Sequence, residues 1–242
     1  MTWDSSHGDL PAADLPPEIP AWMHDLGIDV PVQLDALPDG EPSVVIGDVS
    51  RYADFNHQQG DNPYGIQQDC GLVSCQDVLN QFGIPVTESD VVTHAVENGQ
   101  CQFNPDDVAG SGGTTMADQA RVLSDYGVPA HVEGGQSLEQ LAASVEQGHG
   151  VIVEANAGVL WDDPNYVENG EANHAVTVTG VARDPLTGNI QGFYINDSGT
   201  GQSGEFISAQ TMTGAWQDTG GQCVVTDTVH VLPQGATEGA RL

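Results

Sequence analysis

Lysine is absent from the 242 residues, and the four basic side chains are all arginines, Arg51, Arg121, Arg183 and Arg241, against 35 aspartates and glutamates. A formal charge of -31 repels phosphate backbones and anionic lipid surfaces while it draws cations, so neither nucleic acid nor a membrane is expected as a partner. The imbalance reflects missing bases more than abundant carboxylates, since charged residues make up only 16% of the chain. A high-salt or extracellular setting would screen the self-repulsion, and an ordinary acidic, soluble surface would carry it equally well. Long apolar runs are missing too. Met1 to Leu10 hold no basic flank and no apolar stretch, so no signal peptide or membrane span is expected, and the default compartment is the cytoplasm, with export by another route left open. Four cysteines, Cys70, Cys75, Cys101 and Cys223, are too few for a stapled secreted scaffold, although one pair could bridge, and no Cys-x-x-Cys spacing suggests structural zinc. No metal or cofactor is expected, and nothing in the sequence sets an oligomeric state.

The length suffices for one sizeable domain with a short appendage. Residues 1–43 carry seven prolines among acidic groups and read as an extended N-terminal arm, disordered or laid across the domain as a propeptide or docking segment would be, with Trp22, Met23 and Leu26 as anchors. Residues 44–242 then form the domain. Val44-Val45-Ile46 is its first strand candidate, and Asn56 to Asn62 reads as loop. An apolar run of helical spacing opens at Cys70 and should stop at Gly83 and Pro85. Thr87 with Asp90, Thr115 with Asp118 and Ser137 with Gln140 are capping-box signatures that open three more helices. After these the period changes to two: Val151–Val153, Ala175–Val181, Phe193–Ile195 and Val224–Val231 read as strands. A helical half followed by a sheet half is an α+β arrangement.

Three groups stand where chemistry needs them. Cys70 would occupy the first turn of its helix, where unpaired N–H groups favour a thiolate and can bind an oxyanion. His174 heads a strand and can act as base, and Asp197 ends the next strand, where its carboxylate can orient the imidazole. Asn196 is the alternative third member; because a strand points neighbours to opposite faces, only one of the two can reach the ring. The remaining cysteines read as structural, and His7, His24, His57, His94, His131, His149 and His230 as solvated or locally satisfied.

Asp69-Cys70-Gly71, Asn173-His174-Ala175-Val176-Thr177-Val178-Thr179-Gly180 and Ile195-Asn196-Asp197 together resemble the papain-like cysteine peptidases of bacteria. The similarity is to the branch that holds the double-glycine leader-processing peptidase domains of bacteriocin exporters and their stand-alone relatives, and it covers about residues 58–200. The resemblance implies a papain-like fold, hydrolysis of a peptide or amide bond through a thioester, and roles for Cys70, His174 and Asp197 as nucleophile, base and orienting acid. Such peptidases place an oxyanion glutamine about six residues before the nucleophile, where this chain has Tyr64; Gln67 is the first substitute, with Gln68, Gln58 and Gln59 as others. The exporter's membrane region is lacking, so transport-coupled processing is not implied.

The segment Trp161 to Tyr166 has the length and aromatics of a substrate-facing loop, and Trp161 and Asn173 are expected at the substrate. Calcium on Asp162, Asp163 and Glu168 is a weaker reading, as is Trp216 as a pocket wall rather than core. The leading function is a cysteine peptidase acting on protein or peptide substrates, with basic ones favoured by the acidic surface. A glutamine deamidase or transglutaminase-like effector would use the same groups, and an inactive binding module could share the fold.

Overall fold

In the computed structural model, which describes Trp22, Met23 and residues 30–230, eight antiparallel strands form one sheet with seven helices packed against it. The fold is α+β. The strands are β1 (Val32–Ala36), β2 (Pro42–Ile46), β3 (Ala130–Glu133), β4 (His149–Ala155), β5 (His174–Arg183), β6 (Ile190–Asp197), β7 (Gln202–Ser208) and β8 (Cys223–Val229). The helices are α1 (Val49–Ala53), α2 (Cys70–Gln81), α3 (Glu88–Asn98), α4 (Met116–Asp125), α5 (Leu138–Glu146), α6 (Ala157–Leu160) and α7 (Ala209–Met212).

Local chemistry accounts for the helix boundaries. Thr87, Thr115 and Ser137 each accept the N–H of the third helical residue, whose side chain returns the bond. Helix α2 ends where Gly83 takes a φ of +74, which lets Ile84 N–H reach the Leu79 carbonyl.

Strand β5 organises the sheet. Its first half pairs with β4 and its second half with β2 along one edge, while β6 runs along the other and carries β7. Alternation then divides the core. Ile152 and Ala175 face the helices α2, α3 and α4, in a cluster with Leu72, Val78, Leu79 and Leu123. Val151, Val153, Val176 and Val178 face the opposite side, with Leu141 and Val145 of α5, Phe193 and Trp216. Trp216 is fully buried and is core, not a pocket wall. Because β5 is covered on both faces, its start can hold His174 rigidly against the N-terminus of α2.

The boundary of the arm is earlier than the sequence suggests. Residues 32–46 form the β1–β2 hairpin and join β5, since Val32 and Leu34 alternate with polar residues and meet Ile46 and Val44 across the pair. Met23 is buried against Val44 and Ile46, and Trp22 packs over Gly188 and donates its indole N–H to the Pro185 carbonyl at 3.3 Å. These contacts agree with their reading as anchors; Leu26 and residues 1–21 lie outside the described residues. Among the described residues no helix is long and apolar enough to cross a membrane. All four cysteines are free thiols.

Candidate active site

Helix α2 begins at Cys70 because the Asp69 carbonyl accepts the N–H groups of Leu72 and Val73. Gly71 leaves no room for a side chain: a Cβ there would lie 2.2 Å from Thr114 Oγ1 and 2.6 Å from Gln119 Nε2. The half-buried Cys70 therefore sits at an open helix end, facing a cleft of about 780 Å³ that also reaches His174, Trp161, Glu154 and Gly199.

The His174 ring is 6% exposed, and its Nε2 lies 2.7 Å from Asp197 Oδ1. Burial opposes its charge, but hydrogen bonds with Asp197 and with the Cys70 sulfur outweigh that and raise the imidazolium to about 10. Asp197 is fully buried and surrounded by donors: Gly199 N–H at 2.8 Å and Thr200 N–H at 3.3 Å reach Oδ1, and Trp161 Nε1 reaches Oδ2 at 2.6 Å. Burial works against this carboxylate too, yet the His174 hydrogen bond and charge bring it below the usual range. Gly199 is required for closeness, since a Cβ there would fall 2.9 Å from both His174 Cε1 and Trp161 Cζ2.

The structure thus brings Cys70, His174 and Asp197 together. Asn196 faces the other way, giving its amide to the Tyr52 carbonyl at 2.8 Å and to Asp77 Oδ2 of α2 at 2.9 Å, as strand alternation requires. Gln67 is not in the cleft: its exposed amide donates to the Ile66 carbonyl at 3.1 Å and packs over Gly60, because the turn before Asp69 points it outward. Gln68 and Gln59 line the cleft instead, and Gln59 is fixed by the Gln67 carbonyl and the Ser198 hydroxyl. Asn173 lines the cleft but spends both ends of its amide on backbone, accepting from Ala157 N–H and donating to the Tyr166 carbonyl, so it shapes the loop rather than offering free groups. Trp161 is likewise committed to Asp197, and it tilts against the His174 ring at a centroid distance of 5.1 Å. Asp163 caps the Pro164–Tyr166 turn, and among the described residues no group of three or more His, Cys, Asp or Glu could hold a metal ion.

A buried polar network behind Cys70 carried no sequence signal. Asp69 does not cap α2; its carboxyl turns to Asn62 and shares a hydrogen bond with Glu88, which also binds His57 Nε2 at 2.7 Å and Gly60 N–H at 3.0 Å. Burial, then the Glu88 contact, raises Asp69, and burial raises Asp77 to about 8. Each carboxyl keeps a proton that the unfolded chain releases near pH 4, so folding is favoured at low pH and that advantage is lost as pH rises through the folded value. The raised His174 acts in the same direction between its ordinary value and about 10. The free energy of unfolding should therefore fall from pH 5 to pH 9 by about 1.4 kcal/mol per pH unit for each proton retained, and thermal unfolding midpoints should fall with it. Asp77→Asn should flatten the slope, and an unchanged slope would exclude Asp77 as a proton holder.

Residues 46–224 match the model of the Peptidase_C39-like family. The chain belongs to that family. Uncharacterized proteins of Mycobacterium tuberculosis and Mycobacterium bovis are 31% identical to this chain over 214 aligned residues, covering 77% of it and 86% of their own length. Two solved structures also match the C39-like chain. One is a double-glycine-motif protease from an AMS/PCAT transporter in complex with the leader peptide, 19% identical over 66% of this chain and 86% of that one, with a TM-score of 0.42. The other, from Bacillus anthracis and described as a C39-like peptidase, is 18% identical over 72% and 98%, with a TM-score of 0.49.

Proposed function

We propose that this C39-like chain is a cysteine peptidase in which Cys70 attacks a peptide carbonyl, His174 moves the proton and Asp197 holds the imidazole. The observation that supports this most directly is the His174 ring, held between Cys70 and a carboxylate surrounded by donors, at the wall of an open cleft. In acylation the Cys70 sulfur bonds to the carbonyl carbon, and the oxyanion is met by N–H groups at the start of α2 together with the Gln68 or Gln59 amide. The imidazolium then passes its proton to the leaving amine, a thioester remains, and water deprotonated by His174 releases the acid.

The test is exposure of a diverse peptide pool to the protein, with products read by mass spectrometry. New termini that vanish after alkylation of Cys70 are expected. Intact backbones with glutamine side chains gaining about one dalton would replace the peptidase with a deamidase, and no Cys70-dependent product at all would leave a binding module.

A further inference from the structure

Strand β4 alternates between two cores, and Glu154 continues the face of Ile152, which looks toward α2 and α4. At the strand's end that face opens into the cleft beside Cys70. Among the described residues Glu154 has neither a cation nor a hydrogen-bond donor, and burial alone raises its carboxyl above the ordinary glutamate range. A second unanswered acceptor lines the same cleft. Gln119 is 1% exposed, its Nε2 donates to Thr114 Oγ1 at 3.1 Å, and its buried Oε1 has no partner.

Among the described residues no arginine supplies the missing donors. Arg183 is clamped by Glu146 and Glu139, Arg121 pairs with Asp118, Arg51 sits beside Asp48, and none of them lines the cleft. Asp163 and Glu168 add further negative charge to the cleft lining. A half-buried carboxylate and a buried amide oxygen, both without donors, are costly, and a group rich in N–H donors and positive charge entering the cleft can answer them.

We propose that Glu154, in the cleft that Gln119 also lines, forms a subsite for a cationic group of the substrate, a lysine or arginine side chain or a free amine, in the same cleft as the bond that Cys70 attacks. This rests on the peptidase reading of the same cleft and makes Glu154 the determinant of its substrate class.

Two measurements separate the subsite from general attraction by the acidic surface and from the peptidase reading. In the first, peptides differing only in lysine against norleucine near the cleaved bond are compared on wild type and Glu154→Gln at 0.5 M salt, where long-range steering is screened. Lysine should be preferred by about 10- to 100-fold in kcat/KM, and Glu154→Gln should remove most of that preference while changing the norleucine peptide by less than about threefold. In the second, Cys70 is alkylated by a bromoacetamide bearing a primary ammonium and by its hydroxyl counterpart, which needs no peptide turnover. The ammonium reagent should react at least about fivefold faster with wild type, and lose that lead in Glu154→Gln. Absence of peptide cleavage together with a retained ammonium lead would remove the peptidase reading and keep the subsite. No preference for the cation in either measurement on wild type, or a preference that survives Glu154→Gln undiminished, would overturn the subsite. An absent preference on wild type overturns the subsite even if the variant fails to fold.

Discussion

Replacement of Cys70 by alanine is expected to lower kcat by about 10⁴-fold or more while leaving the fold in place. Alanine is a good helix former at the first position of α2, and the half-buried sulfur lies at the edge of a cleft, so its removal leaves no closed cavity. The loss would be of the bond-forming atom rather than of packing. Labelling provides the internal control. Cys75 is wholly buried and its thiol pushed far up, while burial takes Cys223 to about 12 and Cys101 to about 11, so these three remain protonated at neutral pH. Limited iodoacetamide at pH 7 should give one adduct, on Cys70, and none on Cys70→Ala, with an unchanged unfolding midpoint. A variant that retains more than about a hundredth of the wild-type rate, or an adduct that persists elsewhere at the same speed, would refute Cys70 as the nucleophile.

Much of this site is legible in the chain because its members lie at the ends of regular elements. Capping boxes at Thr87, Thr115 and Ser137 locate three helices by local hydrogen bonding alone, and the apolar alternation after Ala175 identifies β5 with His174 at its head. The period-two argument separates Asp197 from Asn196, and the structure turns them to opposite faces. The hairpin β1–β2 is harder to read, since Val32 and Leu34 lie among prolines and acidic residues whose composition suggests an arm; pairing with β5 decides it, and pairing is a long-range fact. Strand β7 offers no clean alternation, and β3 has only four residues, so both depend on the neighbours that receive them. Gln67 illustrates the same limit at the site. Spacing from Cys70 makes it a candidate donor, but the direction of its side chain is set by a turn around Gly60 and Ile66 that no periodicity encodes. The Asp69–Glu88–His57 network joins residues from three loops and helix ends, and nothing local marks them as partners.

Asp197→Asn should lower kcat/KM by about 10²- to 10⁴-fold even though the side chains have the same shape. The pocket around Asp197 contains only donors. Oδ1 receives His174, Gly199 and Thr200, and Oδ2 receives the Trp161 indole, so an amide can answer one side but must turn its own N–H groups toward the other. With the amide oxygen at the Oδ1 position, the NH₂ group opposes Trp161 Nε1; with the amide reversed, it opposes the imidazole and two backbone N–H groups. In either orientation the imidazolium loses its charged partner in a buried setting, so the ring proton is held less tightly than the present value of about 10. If catalysis requires that proton for the leaving amine, activity is lost at the alkaline side as it departs, and the alkaline limb of the pH profile should move to lower pH in the variant. Trp161→Phe removes the opposing donor while keeping a ring against His174. The double variant should therefore recover part of the rate lost by Asp197→Asn, whereas Trp161→Phe in the wild-type background leaves Oδ2 unanswered and should lower the rate. Strictly additive losses in this cycle, or an alkaline limb that does not move, would separate Asp197 from the protonation of His174 and leave it a purely structural acceptor.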